Sequence, residues 1–155
     1  MEPLIAVYVE IPQFSNIKYE YNKETNRLEI DRVLNSPFVY PYAYGFIPHT
    51  LAKDGDELDI LILTNKPLKN NKYYQVNIIG ALDMEDEKGI DEKVLCVLPE
   101  DYDKIKDIDD VSDEIKDEIS FFFSNYKNNV KNKWSTVGSF MNRKETMKLF
   151  IDSLN

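Results

Sequence analysis

The chain has 155 residues, a size that suits one domain spanning 1–155, and 43 % of them are apolar, enough for one real core. Its 28 acidic against 19 basic residues leave a formal charge of −9, which opposes binding to nucleic acid or to an anionic membrane. An acidic protein still binds an anion where metal ions or a local basic cluster reverse the field. The single cysteine, Cys96, lies in the apolar run Val94 to Leu98 and reads as a buried, inert thiol. No basic leader with a long apolar stretch opens the chain, and no apolar run reaches the ~18 residues of a membrane span, so the expected compartment is the cytoplasm.

Residues 4–11 are β-branched and aromatic and predict a strand. Residues 17–21 and 27–33 predict a hairpin turning at 22–26. From Ser36 to Thr50 the chain is aromatic and carries Pro37, Pro41, Gly45 and Pro48, which suggests an irregular but packed segment. Residues 58–63 are apolar on both faces, as in a buried strand, and 74–83 and 93–98 predict two more strands joined by an acidic connection. Beyond Pro99, Val111, Ile115, Ile119, Phe122, Phe123, Tyr126 and Val130 recur at helical spacing, behind a run of capping acids and Ser112. A shorter helix is expected over 144–153, with Met147, Phe150, Ile151 and Leu154 on one face. Strands followed by helices give an α+β class, and five or six short strands can close into a small OB-like β-barrel with flanking C-terminal helices.

The acids carry the chemical signal. Asp54, Asp56, Glu57 and Asp59 fall within six residues that run directly into an apolar strand. Asp54 and Asp56 suit a turn, but Asp59 sits inside the strand, where an unpaired carboxylate costs several kcal/mol. It needs an Arg or Lys partner, a proton or a metal ion. A calcium-binding EF-hand loop starting at Asp54 fails, because its fifth and sixth positions are Leu58 and Asp59. A second acidic run, 83–93, reads alone as a solvated turn, but beside the first it presents several oxygen ligands to hard cations. Lys18 and Glu20 lie two apart and share a strand face. Arg32 has the parity of Leu28 and Ile30, which points it inward if the strand is regular, toward a carboxylate or a phosphate. His49 reads as structural, and no Ser/His/Asp set, Walker loop or CxxC pair is present.

Taken in order, the segments VYVEIP at 7–12, IKYE at 17–20, DR at 31–32, YPYAYGFIPHT at 40–50, DGDELDILI at 54–62, MEDEKGIDEK at 84–93 and FFFSNYKNNVKNKW at 121–134 resemble the soluble family I inorganic pyrophosphatases. The resemblance spans nearly the whole chain and rests on the motifs in combination. It implies an OB-like five-stranded barrel, Mg²⁺ as cofactor with several ions per site, and pyrophosphate as the small-molecule substrate. It places metal ligands at Glu20, Asp54, Asp59, Asp86 and Asp91, and the proton-accepting base at Asp56. It implies substrate-binding roles for Lys18, Arg32, Tyr44, Lys93, Tyr126 and Lys127, with Tyr44 and Arg32 also serving the chemistry. Tyr40 and Glu10 would support the pocket. By its length the chain resembles the short homohexameric members more than the longer dimers. Glu57 stands where many members carry Pro, and Ser139 and Phe140 occupy a region that often holds Trp.

Overall fold

A computed structural model describes residues 3–34, 38–128 and 130–155. The strands are β1 (Ile5–Ile11), β2 (Ile17–Asn22), β3 (Arg27–Val33), β4 (Ala43–Ile47), β5 (Leu58–Ile62), β6 (Lys72–Asp86), β7 (Gly89–Ile90), β8 (Lys93–Val97) and β9 (Ser135–Met141), and the helices are α1 (Asp113–Asn125) and α2 (Arg143–Ser153). Five of the strands close a ring: β1 pairs with β4, β4 with β5, β5 with β8, β8 with β6, and β6 returns to β1. This is the expected OB-like ring, antiparallel except at the parallel β5–β8 pair. β2 and β3 form a separate two-stranded sheet beside it.

Alternation along each strand divides the core into two clusters. Leu58, Ile60 and Ile62 join Val94, Cys96, Val7 and Val9 in one cluster, drawn from every strand of the ring and filling its inside. Leu61, Leu95, Val97 and Tyr44 belong to the other, packed under Ile119, Phe122 and Phe123 of α1. Asp59 and Lys93 share the register of Leu61 and Leu95, so both project on the outer face, beneath the end of α1.

The predicted helix over 111–130 is shorter than expected. Ser112 caps it by accepting a hydrogen bond from the Ile115 amide at 3.3 Å, and it ends at Asn125. Val111 instead follows a 3-10 turn over Ile108–Asp110, and Val130 lies beyond the helix. In α2, Met147 and Phe150 pack on the barrel, but Ile151 and Leu154 are exposed, because Leu154 is already the extended residue after the last turn. The segment expected to be irregular holds the regular strand β4, because its prolines fall just outside Ala43–Ile47. Ser36 and Pro37 of that segment lie outside the described residues. β9 had no sequence signal: its small and polar residues alternate weakly along the rim of β6.

Gly45 lets β4 close on β1. A Cβ there would stand 1.8 Å from the carbonyl oxygen of Tyr8, beside a register slip between Val9 and Ile11. Gly45→Ala is therefore expected to destabilise the protein by ~3 kcal/mol or more, read as a lowered urea midpoint.

Candidate active site

Five separated segments converge on the outer face of the barrel. The hairpin β2–β3 brings Lys18, Glu20 and Arg32; β4 brings Tyr44; the turn before β5 and the strand itself bring Asp54, Asp56 and Asp59. The β6–β8 connection brings Asp86, Asp91 and Lys93, and the end of α1 brings Tyr126 and Lys127. All twelve line one cleft with a cavity volume near 160 Å³. That is below the ~300 Å³ at which sites for drug-sized ligands begin, so the cleft suits a small polar ligand.

Lys93 is the hub. Its Nζ donates to Tyr44 Oη, Asp59 Oδ2 and Asp91 Oδ2, each at 2.8 Å, and the residue is 1 % exposed. Burial works against its charge, but the fields of Asp59, Tyr44, Tyr126 and Asp91 outweigh it and hold the ammonium well above its ordinary pKa. Asp59 and Lys93 are register neighbours in the parallel pair, so the costly strand carboxylate has an adjacent cation. Lys127, just past the helix end, bonds Asp86 Oδ2 at 2.9 Å and Glu87 Oε2 at 3.1 Å. That contact holds the Asp86 carboxyl below its usual range against the opposing effect of burial. Tyr40 does not line the cleft; it supports Tyr44 from behind, with ring centroids 5.3 Å apart.

Asp54, Asp59 and Asp91 each offer a carboxylate oxygen, and these oxygens lie within 4.8 Å of one another. Burial first, and then the neighbouring carboxylates, raise Asp54, and the same causes push Asp91 up to about 6 against the pull of Lys93. The acids repel one another in this arrangement, and an all-oxygen set of this kind fits a hard divalent cation. Gly55, at φ +92°, makes the turn that lets the Asp56 amide bond Asp54 Oδ1 at 3.1 Å.

Arg32 reaches the cleft by a route that alternation does not predict. Lys18 opposes Arg32 but Tyr19 opposes Ile30, so Asp31 is an extra, bulged residue. Arg32 consequently shares the face of Lys18 and Glu20, while Ile30, its supposed companion, is 63 % exposed. Lys18 bonds Asp31 at 2.6 Å. The Arg32 Nε, Nη1 and Nη2 are all buried and have no hydrogen-bond partner among the described residues. A buried guanidinium without a hydrogen-bond partner is costly, and an anionic group brought into the cleft would satisfy it.

Sequence reasoning passed over Glu87, which holds Lys127 and accepts from the Trp134 amide at 3.1 Å. Its place in the second acidic run was visible, but not its choice of partner. The pocket-lining Lys23 and Lys133 were also passed over, and both read as ordinary surface lysines.

A closed five-stranded ring with a carboxylate cluster able to hold a cation, sharing its cleft with buried lysines and an arginine without a hydrogen-bond partner, fits the class of proteins that handle phosphate groups with the help of metal ions. The family profile of the inorganic pyrophosphatases matches residues 7–155. The inorganic pyrophosphatase of Nanoarchaeum equitans is 41 % identical over 149 residues, covering 94 % of this chain and 92 % of the relative. Two solved structures superpose closely. That of the Helicobacter pylori enzyme has a TM-score of 0.92 at 39 % identity, covering 97 % of this chain and 91 % of the other. That of the Thermus thermophilus enzyme has a TM-score of 0.93 at 42 % identity, covering 97 % and 88 %. The chain belongs to the inorganic pyrophosphatase family.

Glu10 also lines the cleft. It is 8 % exposed, accepts from the Tyr21 amide at 2.9 Å, and is pushed from 4.5 to about 8, mainly by burial. The folded protein thus keeps a proton on Glu10 that the unfolded chain releases above about pH 4.5, so this residue makes stability fall as pH rises toward 8. In the presence of chelator, Glu10→Gln should remove on the order of 3 kcal/mol of that fall, measured by urea unfolding between pH 5 and 8.

Proposed function

We propose that the chain hydrolyses inorganic pyrophosphate to two orthophosphates, with Mg²⁺ as the metal and without a covalent enzyme intermediate. The observation that carries this reading is the fully unsatisfied, buried guanidinium of Arg32 opposite the Asp54–Asp59–Asp91 cluster. An anion that satisfies Arg32 could approach three carboxylates only if a cation lay between them. Family membership supports the same substrate.

In this reading Asp54, Asp59 and Asp91, joined by Glu20 and Asp86, would hold Mg²⁺, which when bound would lower the pKa of a water and offset phosphoryl charge. The residues of the chain do the remaining work. Asp56 accepts a proton from the attacking water as its oxygen bonds phosphorus and the bridging P–O bond breaks. Arg32 and Lys18 grip phosphate oxygens from the hairpin side. Lys127 and Tyr126 meet the charge that grows on the leaving phosphate. Lys93 holds Asp59, Asp91 and Tyr44 in place while adding a positive field. The chain is further read as a cytoplasmic homo-oligomer, with a hexamer favoured over a dimer. The exposed apolar side chains of Ile30, Val33 and Phe121 support association, and light scattering of the purified protein tests it.

The direct test is phosphate release from pyrophosphate with Mg²⁺ and then with chelator. Release that requires the metal is expected, and folded protein without release would overturn the proposal. Asp59→Asn should weaken Mg²⁺ binding, followed by titration calorimetry, together with turnover. Asp56→Asn should lower kcat by about 10²–10⁴-fold while largely sparing metal affinity, and near-normal turnover would remove Asp56 as the base. Arg32→Gln should reduce kcat/KM by about ten- to a hundredfold, the loss of charged hydrogen bonds to the substrate.

A further inference from the structure

The site is divided between two sheets. Lys18, Glu20 and Arg32 belong to the two-stranded β2–β3 sheet, whereas Asp54, Asp59 and Asp91 belong to the barrel or its turns. The turn carrying Asp54 and Asp56 is anchored to the barrel at both ends. Lys53 lies 3.5 Å from Glu92, which adjoins β8, and the Leu58 amide bonds Thr50 Oγ1 at 3.0 Å at the start of β5. Glu57 is therefore a fixed post. Across the cleft mouth stands Lys23, the first residue past β2, with its Nζ 3.0 Å from Glu57 Oε2. Both residues line the cleft, yet neither belongs to either hydrophobic cluster.

We infer that the Lys23–Glu57 ion pair is a latch: it fastens the tip of the β2–β3 hairpin to the metal-bearing turn and thereby holds Arg32 and Lys18 over the carboxylate cluster. The latch rests on the pyrophosphatase reading for its effect on substrate, and both of its members are positioning residues. The Tyr21 amide to Glu10 and the Tyr8–Tyr21 ring contact hold the turnward end of β2 to the barrel, two positions before Lys23. The latch adds the constraint at the hairpin tip. Lys23 has a side-chain exposure of 65 %, so the pair adds little to global stability and acts by restricting the hairpin.

The sign of one substitution separates positioning from simple charge. Glu57→Gln removes a negative charge beside an anion site, and the field alone would lower KM for pyrophosphate. Loss of the latch raises it. The expected result is a two- to fivefold rise in KM, the range of an exposed ion pair, with kcat and the thermal midpoint nearly unchanged. The exchanged pair, Lys23→Glu with Glu57→Lys, should bring KM back to within about twofold of the parent. Amide hydrogen exchange over residues 18–32, measured without substrate, should quicken in Glu57→Gln and slow again in the exchanged pair. A KM that falls or stays level, hairpin exchange that does not change, or an exchanged pair that fails to recover overturns the latch. If the parent chain released no phosphate, the functional reading would fail, while the exchange measurement would still decide whether the hairpin is latched.

Discussion

The ammonium of Lys93 is the contact on which the rest of the site depends. It is buried in the outer face of the barrel and holds three oxygens from three strands or turns at 2.8 Å each. A buried ion pair of this kind is weak evidence for stability, since removing both charges can leave a fold as stable or more so. Its value lies in arrangement. One cation fixes Asp59 on β5, Asp91 before β8 and Tyr44 on β4, and so sets the spacing of the carboxylates that would grip metal. It also stays charged because those partners outweigh the cost of its burial.

Around this hub the charges fall into complementary layers. Acids without enough cations crowd one wall, where Asp54 and Asp91 are raised above their ordinary range. Arg32, whose guanidinium has no hydrogen-bond partner among the described residues, occupies another. Each wall alone would be a fault in a packed protein. Together they suit a cleft that takes up cations on one side and an anion on the other. Lys127 lies on the cleft wall, engaged by Asp86 and Glu87.

The barrel explains why such a costly site persists. The ring leaves its inside to aliphatic side chains and gives its outer face to α1, so the polar cluster sits at a seam between two apolar bodies. α1 also delivers Tyr126 and Lys127, because it ends one residue short of them. The hairpin joins the barrel through polar and aromatic contacts, among them the Tyr21 amide on Glu10 and Lys23 on Glu57.

Much of this was written locally. Short apolar and β-branched runs marked β1, β5, β6 and β8, helical spacing with Ser112 marked α1, and the anomaly of Asp59 inside an apolar strand marked the site. The motif order pointed to the family. Other features were not local, and tertiary structure alone decided them. β4 and β9 form because partners elsewhere in the chain supply their hydrogen bonds, whatever their own weak patterns. Lys93 meets Asp59 because two strands 34 residues apart run parallel in one register, and no sequence spacing encodes that. Arg32 enters the cleft through a bulge that reverses strand parity, so simple alternation assigned it the wrong companions. Sequence by itself determined which charged groups were available and which segments could be buried. The fold decided which charges would meet and which would be left without a partner, because pairing register and burial depend on contacts between residues far apart in the chain.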